Sequence, residues 1–488
     1  MQNQEKVFKK LDELLAKFKN AKEWTDLVKY IIEIQSLLNK QESIEDKTDS
    51  IRLFDYNDNE TLAKRLAQCL NKDLPPGLHE ATLNLYHLVL KNLILDNNQK
   101  LGKNLGLFSS GLFPFYQYAS TQNKKLFLEN IVQKIFLCIN VNELELCLPG
   151  LLVSILPSLD ENNEEINKTI FLLFDDMKMK LKPRILFGNI WSIMLKNPKL
   201  RSSGMKFLSK VINNDDYYKN DENNERQLKD KENFYPNFDI LVVNSLCSVI
   251  EDKNDIGNIR LAMDFLLFRF PLFKKDIISD ESKITLLVSV LKLLIKNEST
   301  IVRRVNEWIL KDYCDEDINF QDENIIYILN LITSAFKKIF DYKIEYNKDN
   351  QKDLKDYLKL IGNFIQNQKI LSEEILKKFS FNIIKCVVNY WDNELNSSKD
   401  VINDDIINNV SNLFNQENFL DLVWESLAKN LESFKINQNN NNELIYDLEK
   451  LVEPLKFCLS FVYLKRLETL FIISSLITSL LEFNSLSQ

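Results

Sequence analysis

The chain has 488 residues, 45% of them hydrophobic and 27% charged, with a formal net charge of −8. A length about three times that of a usual single domain predicts several domains or one extended repeat array, and the apolar content excludes a disordered chain. The negative charge excludes general nucleic-acid binding, which needs a basic surface.

Glycine and cysteine usage narrows the fold class further. The chain has nine glycines, and Gly362 is the only one after Gly257. Because β-hairpins and phosphate-binding loops need glycine, this scarcity favours helices joined by polar turns. Seven cysteines stand far apart, and such an odd, scattered set predicts neither disulfides nor a metal site. It indicates a reducing, cytosolic environment.

Helical periodicity recurs along the whole chain. Apolar residues follow the i, i+3/i+4 pattern from Val7 to Phe18 and again from Trp24 to Leu38, which predicts an αα-hairpin. Further segments of this kind lie at 62–70, 77–93, 121–139, 143–156, 164–178, 184–196, 199–212, 238–251, 256–269, 283–296, 300–311, 322–342, 352–369, 372–391, 403–414, 417–434, 441–451 and 455–482. Helix pairs of about 35–45 residues predict an all-α fold, an α-solenoid of HEAT- or armadillo-like hairpins.

Several segments interrupt this pattern. Gly102, Gly106 and Gly111 are interpreted as turns between packed helices, and Pro149 and Pro157 predict a kink or a shorter helix. Inserted loops are predicted at 213–236, at 343–353 and at the asparagine run 439–442. The uncharged run between 468 and 482 is too short to span a bilayer, so no transmembrane helix is expected.

No catalytic constellation stands out. The only two histidines, His79 and His87, are spaced eight apart, and we expect capping or core roles for both. Nucleophile-elbow, phosphate-loop and dinucleotide motifs do not occur in the sequence. We therefore predict a non-enzymatic protein with no catalytic residue, metal or cofactor.

One stretch of the sequence is strongly polarised in charge. From residue 178 to residue 210 the chain has nine basic residues and no acidic one: Lys178, Lys180, Lys182, Arg184, Lys196, Lys199, Arg201, Lys206 and Lys210. A second acid-free stretch, 97–128, contains Lys100, Lys103, Lys124 and Lys125, and in a solenoid the two can converge. Two interpretations stay open: a solvated helix face that aids solubility, or a surface for anionic lipid or an acidic partner. The nine residues are the lipid- or anion-binding candidates.

An aromatic segment, residues 109–119, is the second candidate region. Glycine opens it and proline lies midway, so we expect a helix-to-helix corner with packed rings. The alternative is an exposed partner-binding loop, whose candidates are Phe113, Phe115, Tyr116 and Tyr118.

Several strings resemble the N-terminal domain of the Dopey family. They are 23–38 (EWTDLVKYIIEIQSLL), 63–71 (AKRLAQCLN), 74–79 (LPPGLH), 81–86 (ATLNLY), 109–119 (SSGLFPFYQYA), 148–157 (LPGLLVSILP), 246–272 and 303–308 (RRVNEW). The match runs in order over roughly residues 5–312. We therefore expect a Dopey N-terminal-like domain at 1–312, with the acidic, Asn-rich insert at 213–236, and further helical repeats at 313–488. Family members are much longer, so a fragment or a truncated form is expected.

The resemblance implies a cytosolic scaffold, peripheral on Golgi (trans-Golgi network) and endosome membranes. It implies action with a large Arf-exchange-factor-like partner in endosome-to-Golgi transport and Golgi organisation. It also implies binding of phosphatidylinositol 4-phosphate and of kinesin light chain by the N-terminal domain. The alternative function is an importin- or armadillo-type protein-binding adaptor without membrane contact.

Overall fold

The computed structural model describes residues 2–42, 56–95, 101–214, 239–252, 255–275, 277–310, 322–340 and 350–368, and a few positions between 371 and 379. All regular secondary structure in these ranges is helical, which confirms the all-α prediction. The chain divides into two compact units, Met1–Ser245 and Leu246–Gln488. The expected boundary at residue 312 follows the family resemblance and stays a prediction.

The helices of unit 1 follow the predicted periodic segments. They are α1 (Gln2–Asn20), α2 (Trp24–Glu42), α3 (Tyr56–Cys69), α4 (Pro76–Leu95), α5 (Leu101–Tyr116), α6 (Thr121–Leu126) continuing as a π-helix (Phe127–Phe136), α7 (Val141–Ile155) continuing as a 3₁₀ turn (Leu156–Asp160), α8 (Glu164–Lys180), α9 (Pro183–Lys196) and α10 (Arg201–Asn214). Polar side chains start several of them: Ser120, Asn140 and Asn163 accept a hydrogen bond from the backbone N–H three residues on, as N-caps do.

The helices of unit 2 are α12 (Ile256–Arg269), α13 (Asp280–Lys292) with a 3₁₀ turn (Leu293–Lys296), α14 (Ser299–Leu310), α15 (Glu323–Phe340) and α16 (Asn350–Asn367). Helix α11 (Asp239–Ile250) contains the boundary between the units. Asp255 and Ser279 cap α12 and α13. The predicted segments beyond residue 380, the asparagine run 439–442 and most of the 213–236 insert lie outside the described residues.

The prediction of turns at the three glycines is wrong, because all three lie inside α5. A Cβ atom added at Gly111 would lie 2.5 Å from Cβ of Ala67 and 2.9 Å from the Tyr86 hydroxyl. Glycine is therefore needed here for close approach of neighbouring helices, and its conformational freedom is not used. Gly106 has nothing within 4 Å of the same position, so it is a helical glycine without such a contact.

Two smaller predictions are met only in part. Helix α7 runs through Pro149 without ending, and the change to a 3₁₀ turn occurs at Leu156, beside Pro157. Residues 350–353, expected in a loop, form the start of α16. In both cases the helix continues because an apolar stripe further along the segment packs on its neighbours.

Hydrogen bonds between helices of unit 1 connect residues at a regular sequence separation. Gln35 donates to the Ala81 carbonyl, His87 to Asn130 and Ser154 to Phe113, at separations of 46, 43 and 41 residues. In unit 2, Trp308 donates to the Phe270 carbonyl and Arg304 to Asp264, at separations of 38 and 40 residues. Each helix therefore contacts the helix after next, about one αα-hairpin further along the chain.

Unit 1 has two layers of helices with the core between them. Helices α1, α3, α5, α7 and α9 contact one another in succession, and α2, α4, the π-helix and α8 form the other row. The interior contains large side chains such as Phe18, Tyr86, Phe174 and Trp191. Val141–Asp160 is the one described stretch long and apolar enough to cross a membrane, and half of its most apolar window is buried among its neighbours.

Candidate functional site

The basic run of the sequence is split by helix α9. Lys178 and Lys180 end α8, and Lys182 and Arg184 start α9; we call this group the α8–α9 corner. Lys196, Lys199 and Arg201 follow at the other end, which we call the α9–α10 corner. Helix α9 has 14 residues, so the two corners are about 20 Å apart at 1.5 Å per residue. The nine candidates therefore do not form a single surface.

Lys180 has a structural contact at the α8–α9 corner. Its Nζ donates to the Leu137 carbonyl at 2.5 Å and to the Ile139 carbonyl. These carbonyls follow the π-helix, whose C-terminal end has a partial negative charge that a cation stabilises. Lys180 thereby ties the turn after the π-helix to the end of α8.

The cationic groups of three further candidates contact other residues of unit 1. Lys206 forms an ion pair with Asp160 at 2.7 Å, and Arg201 donates to the Met194 carbonyl at 3.4 Å. The Lys210 ammonium lies 3.8 Å from the centre of the Phe171 ring, which is a cation–π geometry. These side chains have partners before any ligand arrives.

The other candidates are more open. Lys182, Lys196 and Lys199 are exposed, and none forms an ion pair with a residue that the structure describes. Lys178 is half-buried and Arg184 exposed, and both also have contacts within the protein. The exposed positive charge is thus concentrated at the two ends of α9.

In the second acid-free stretch, 97–128, Lys124 and Lys125 do not add free positive charge to the surface. Lys124 is buried, forms an ion pair with Glu161 and lies 5.5 Å from the centre of the Tyr116 ring. Lys125 pairs with Glu165 at 2.5 Å. Both lysines therefore have carboxylate partners from the start of α8 and the turn before it. The side chains of Lys100 and Lys103 are outside the described part of the chain.

The aromatic segment lies largely in the core. Phe115 and Tyr116 are fully buried, and Phe115 packs edge-on against His79, with ring centres 5.1 Å apart. Phe113 is half-buried, with its ring 5.5 Å from that of Phe136. Burial removes Phe115 and Tyr116 from any exposed patch, so the partner-binding prediction now rests on the outer parts of Phe113 and Tyr118.

The corner expected in this segment lies later than predicted. Helix α5 continues through Phe113 to Tyr116, and the turn follows at residues 117–120. The Tyr118 ring is 39% exposed, and its hydroxyl donates to the Leu70 carbonyl at 2.7 Å. The turn is therefore attached to the end of α3.

Both histidines have structural roles, as predicted. His79 is buried with Nε2 at 2.8 Å from the Asn71 carbonyl, and Nδ1 of His87 lies 2.9 Å from the Asn130 carbonyl. A carbonyl can only accept, so each ring donates a proton there. Within the described ranges no group of three or more His, Cys, Asp or Glu side chains is placed to hold a metal.

The cysteines separate into protected and open thiols. Burial raises the pKa of the Cys69 thiol to about 12 and that of Cys247 to about 11, so both stay protonated at neutral pH. Cys138 is exposed. The π-helix ends at Phe136, and the turn that follows places Cys138 on the surface.

Sequence reasoning missed the exposed apolar side chain at the α8–α9 corner. Met179 is 88% exposed, although its neighbours Met177 and Leu181 are buried. A signal was present in the sequence, because the buried stripe Ile166, Ile170, Leu173, Phe174 and Met177 follows helical spacing and omits residue 179.

The described chain is thus all-helical, with helices packed at a regular register and charged groups at its corners. These features define an all-helical protein in which successive helices pack on one another. A sequence model described as "Dopey, N-terminal" matches residues 1–313, which is more than half of the chain. The chain belongs to the Dopey family.

Three relatives are similar over 62% to 88% of this chain. Protein pad-1 of Caenorhabditis elegans is 27% identical over 302 residues, covering 62% of this chain and 11% of its own length. Protein DOP1B of Mus musculus is 26% identical over 315 residues, covering 62% and 12%. Protein DOP1 of Saccharomyces cerevisiae is 22% identical over 477 residues, covering 88% and 27%. This chain therefore spans about a tenth to a quarter of these relatives. No solved structure matches it.

Proposed function

We propose that this chain is a non-enzymatic scaffold of Golgi–endosome membrane traffic that binds an anionic, phosphoinositide-containing membrane and protein partners. Family membership over residues 1–313 supports the trafficking role. The single structural observation that carries the membrane part is the acid-free α8–α9 corner, where Lys182 is exposed and forms no ion pair within the described residues.

The scaffold part of the proposal rests on the register between helices. Contacts that recur about every 40 residues are expected for stacked HEAT- or armadillo-like hairpins, in which each hairpin covers the apolar face of the next. Such stacking leaves long rows of helix surface and turns for partners. The proposal therefore assigns binding to surfaces of the helices and turns, and catalysis to none of them.

The proposed membrane contact involves a binding free energy of only a few kcal/mol. Each basic residue close to an anionic bilayer contributes about 1 kcal/mol, and the exposed cations at either corner are few. One corner alone therefore provides weak, reversible attachment, as suits a peripheral protein that cycles between cytosol and the trans-Golgi network or endosomes. Stable attachment then needs a second contact, either another part of a longer protein or a partner.

The partners remain proposals drawn from the family. They are a large Arf-exchange-factor-like scaffold, kinesin light chain and membranes that contain phosphatidylinositol 4-phosphate. Co-purification of this chain with each candidate protein tests the first two directly. Failure of both to bind, with intact vesicle binding, leaves the membrane role and removes the adaptor role from this chain.

Vesicle co-sedimentation with charge-reversed variants tests the membrane proposal. Changing Lys182, Arg184, Lys199 and Arg201 to Glu is expected to abolish binding to vesicles that contain phosphatidylinositol 4-phosphate. A matched control changes four exposed lysines of α1, namely Lys9, Lys10, Lys17 and Lys19, to Glu. It alters the net charge equally and is expected to retain most of the binding.

Three results would contradict the proposal. Unchanged binding of the first variant removes the lipid site from both corners. Equal loss in both variants means that overall charge, and no particular surface, attracts the vesicles. A parent chain that stays in the supernatant at physiological salt supports the protein-binding adaptor without membrane contact.

A further inference from the structure

The α8–α9 corner combines its positive charge with exposed apolar side chains. Met179 is 88% exposed, which is the highest value among the exposed large apolar residues of the described chain, and Val141 is 40% exposed. Cys138, in the turn that precedes Val141, is also exposed. We call Cys138, Val141 and Met179 the apolar tip.

Hydrogen bonds join the two segments that contain the tip. The Lys180 ammonium, directly after Met179, donates to the carbonyls of Leu137 and Ile139, on either side of Cys138. Asn140 caps α7 by accepting the Glu143 backbone N–H at 3.0 Å, which fixes the turn just before Val141. The tip is therefore ordered within unit 1 before it meets any partner.

The charges next to Met179 in the sequence are basic, and the nearest acid on the other side of the tip is Glu143, in the first turn of α7. Residues 137–142 have no charge, and residues 178–184 have four basic residues and no acidic one. The nearest acids along α8, Asp175 and Asp176, lie about one helical turn further from the corner. Lys182 is exposed beside the tip and has no ion pair among the described residues.

An apolar tip bordered by cations is complementary to an anionic bilayer. Headgroup phosphates attract the cations, while the boundary of the acyl chains accepts an apolar side chain. An unbranched methionine at the end of a helix is able to enter that boundary without disturbing the fold. A soluble acidic partner would match the cations but offers no acyl-chain boundary for the Met179 side chain.

We propose that the apolar tip inserts into the membrane surface, with Met179 as the deepest side chain and Lys182 at the level of the headgroups. This inference rests on the proposed membrane-binding function and specifies how the same corner binds. It separates an insertion contact, which resists salt, from charge attraction, which salt screens.

Replacing an apolar side chain by lysine distinguishes insertion from charge attraction. Met179→Lys in the full chain adds one positive charge, so attraction alone predicts tighter binding to vesicles of phosphatidylcholine and phosphatidylserine. Insertion predicts about tenfold weaker partitioning into vesicles, since the burial of the Met179 side chain in the bilayer is lost. The loss should persist in high salt, and Met179→Leu should retain parental binding.

Leu172→Lys is the matched control. Leu172 is 58% exposed on the same helix, two turns before Met179, so this change adds the same charge away from the tip. It is expected to bind at or above the parental level. Because both side chains are exposed, both variants should keep the parental thermal unfolding temperature.

The possible outcomes separate the inference from the function on which it rests. Weaker binding by Met179→Lys alone supports insertion. Binding by Met179→Lys at or above the parental level overturns insertion. Attachment by charge then remains, and an acidic protein partner would bind the same cations in that way. Equal weakening by both lysine variants moves the contact from the tip to the face of α8 and overturns the inference. No binding of the parent to anionic vesicles overturns the proposed function and the inference together.

Discussion

The aromatic segment 109–119 and the basic run 178–210 were both candidate interaction regions, and the structure treats them differently. Phe115 and Tyr116 of the aromatic segment are buried between helices. The basic run stays mostly at the surface, but α9 separates it into two corners. Aromatic residues at helical spacing pack in the core, whereas lysines stay at the surface unless a carboxylate or another acceptor pairs with them.

The largest effect is expected from truncating the aromatic segment. Phe115→Ala removes a fully buried ring that packs against His79 and Tyr118, and we expect about 3–5 kcal/mol of lost stability. Denaturant unfolding followed by circular dichroism measures the change. A loss below about 1 kcal/mol, as for a surface residue, would show that this segment is a surface loop and would reverse the comparison.

A paired glycine substitution tests the close packing of α5. Gly111→Ala places a methyl group against Ala67 and the Tyr86 hydroxyl, and overpacking of this kind costs about 1–3 kcal/mol. Gly106→Ala in the same helix meets nothing within 4 Å, so it should stabilise by about 0.5–1 kcal/mol. Thermal unfolding of both variants gives opposite shifts on this account. Shifts in the same direction would contradict the packing of α5 on α3.

Single charge reversals at the two corners sharpen the comparison within the basic run. Lys182→Glu is expected to reduce binding to anionic vesicles by tenfold or more, since it replaces about 1 kcal/mol of attraction by repulsion. Lys199→Glu makes the same change in charge at the other end of α9, away from the proposed membrane contact. It should therefore reduce binding by less than about threefold. Co-sedimentation at low salt compares them. A larger effect at Lys199 would place the contact at the α9–α10 corner.

The smallest effect is expected at the exposed end of the aromatic segment. Tyr118→Phe removes the hydrogen bond to the Leu70 carbonyl and keeps the ring, so about 1 kcal/mol of stability should be lost. Unfolding in urea measures it, with Phe115→Ala as the reference for a buried ring. A loss as large as that of Phe115→Ala would mean that the Tyr118 hydroxyl, and not ring burial, holds this turn.

Secondary structure was largely predictable because apolar periodicity is a local property of the sequence. The stripe of α8, for example, is visible from Ile166 to Met177. Helix α5 was missed because three glycines and Pro114 predict turns by local rules, whereas a tertiary contact, the approach of Ala67 to Gly111, explains the glycine. Local propensity predicts secondary structure poorly wherever packing against a neighbouring helix determines it.

The candidate site was predictable in composition but not in geometry. The sequence shows which residues between 178 and 210 are basic, but their grouping depends on the length of α9 and on partners distant in sequence. Asp160 is 46 residues from Lys206, and the carbonyl of Leu137 is 43 residues from Lys180. Pairings at these distances follow from the register between hairpins, which no local pattern reveals.

Backbone amide exchange on anionic vesicles is the most direct test of the claim that the α8–α9 corner contacts the membrane. We expect slower exchange of segments 137–142 and 178–184 when vesicles are added, and unchanged exchange at 109–119 and 196–201. Slowing at 196–201 or 109–119, without any at 178–184, would contradict the account.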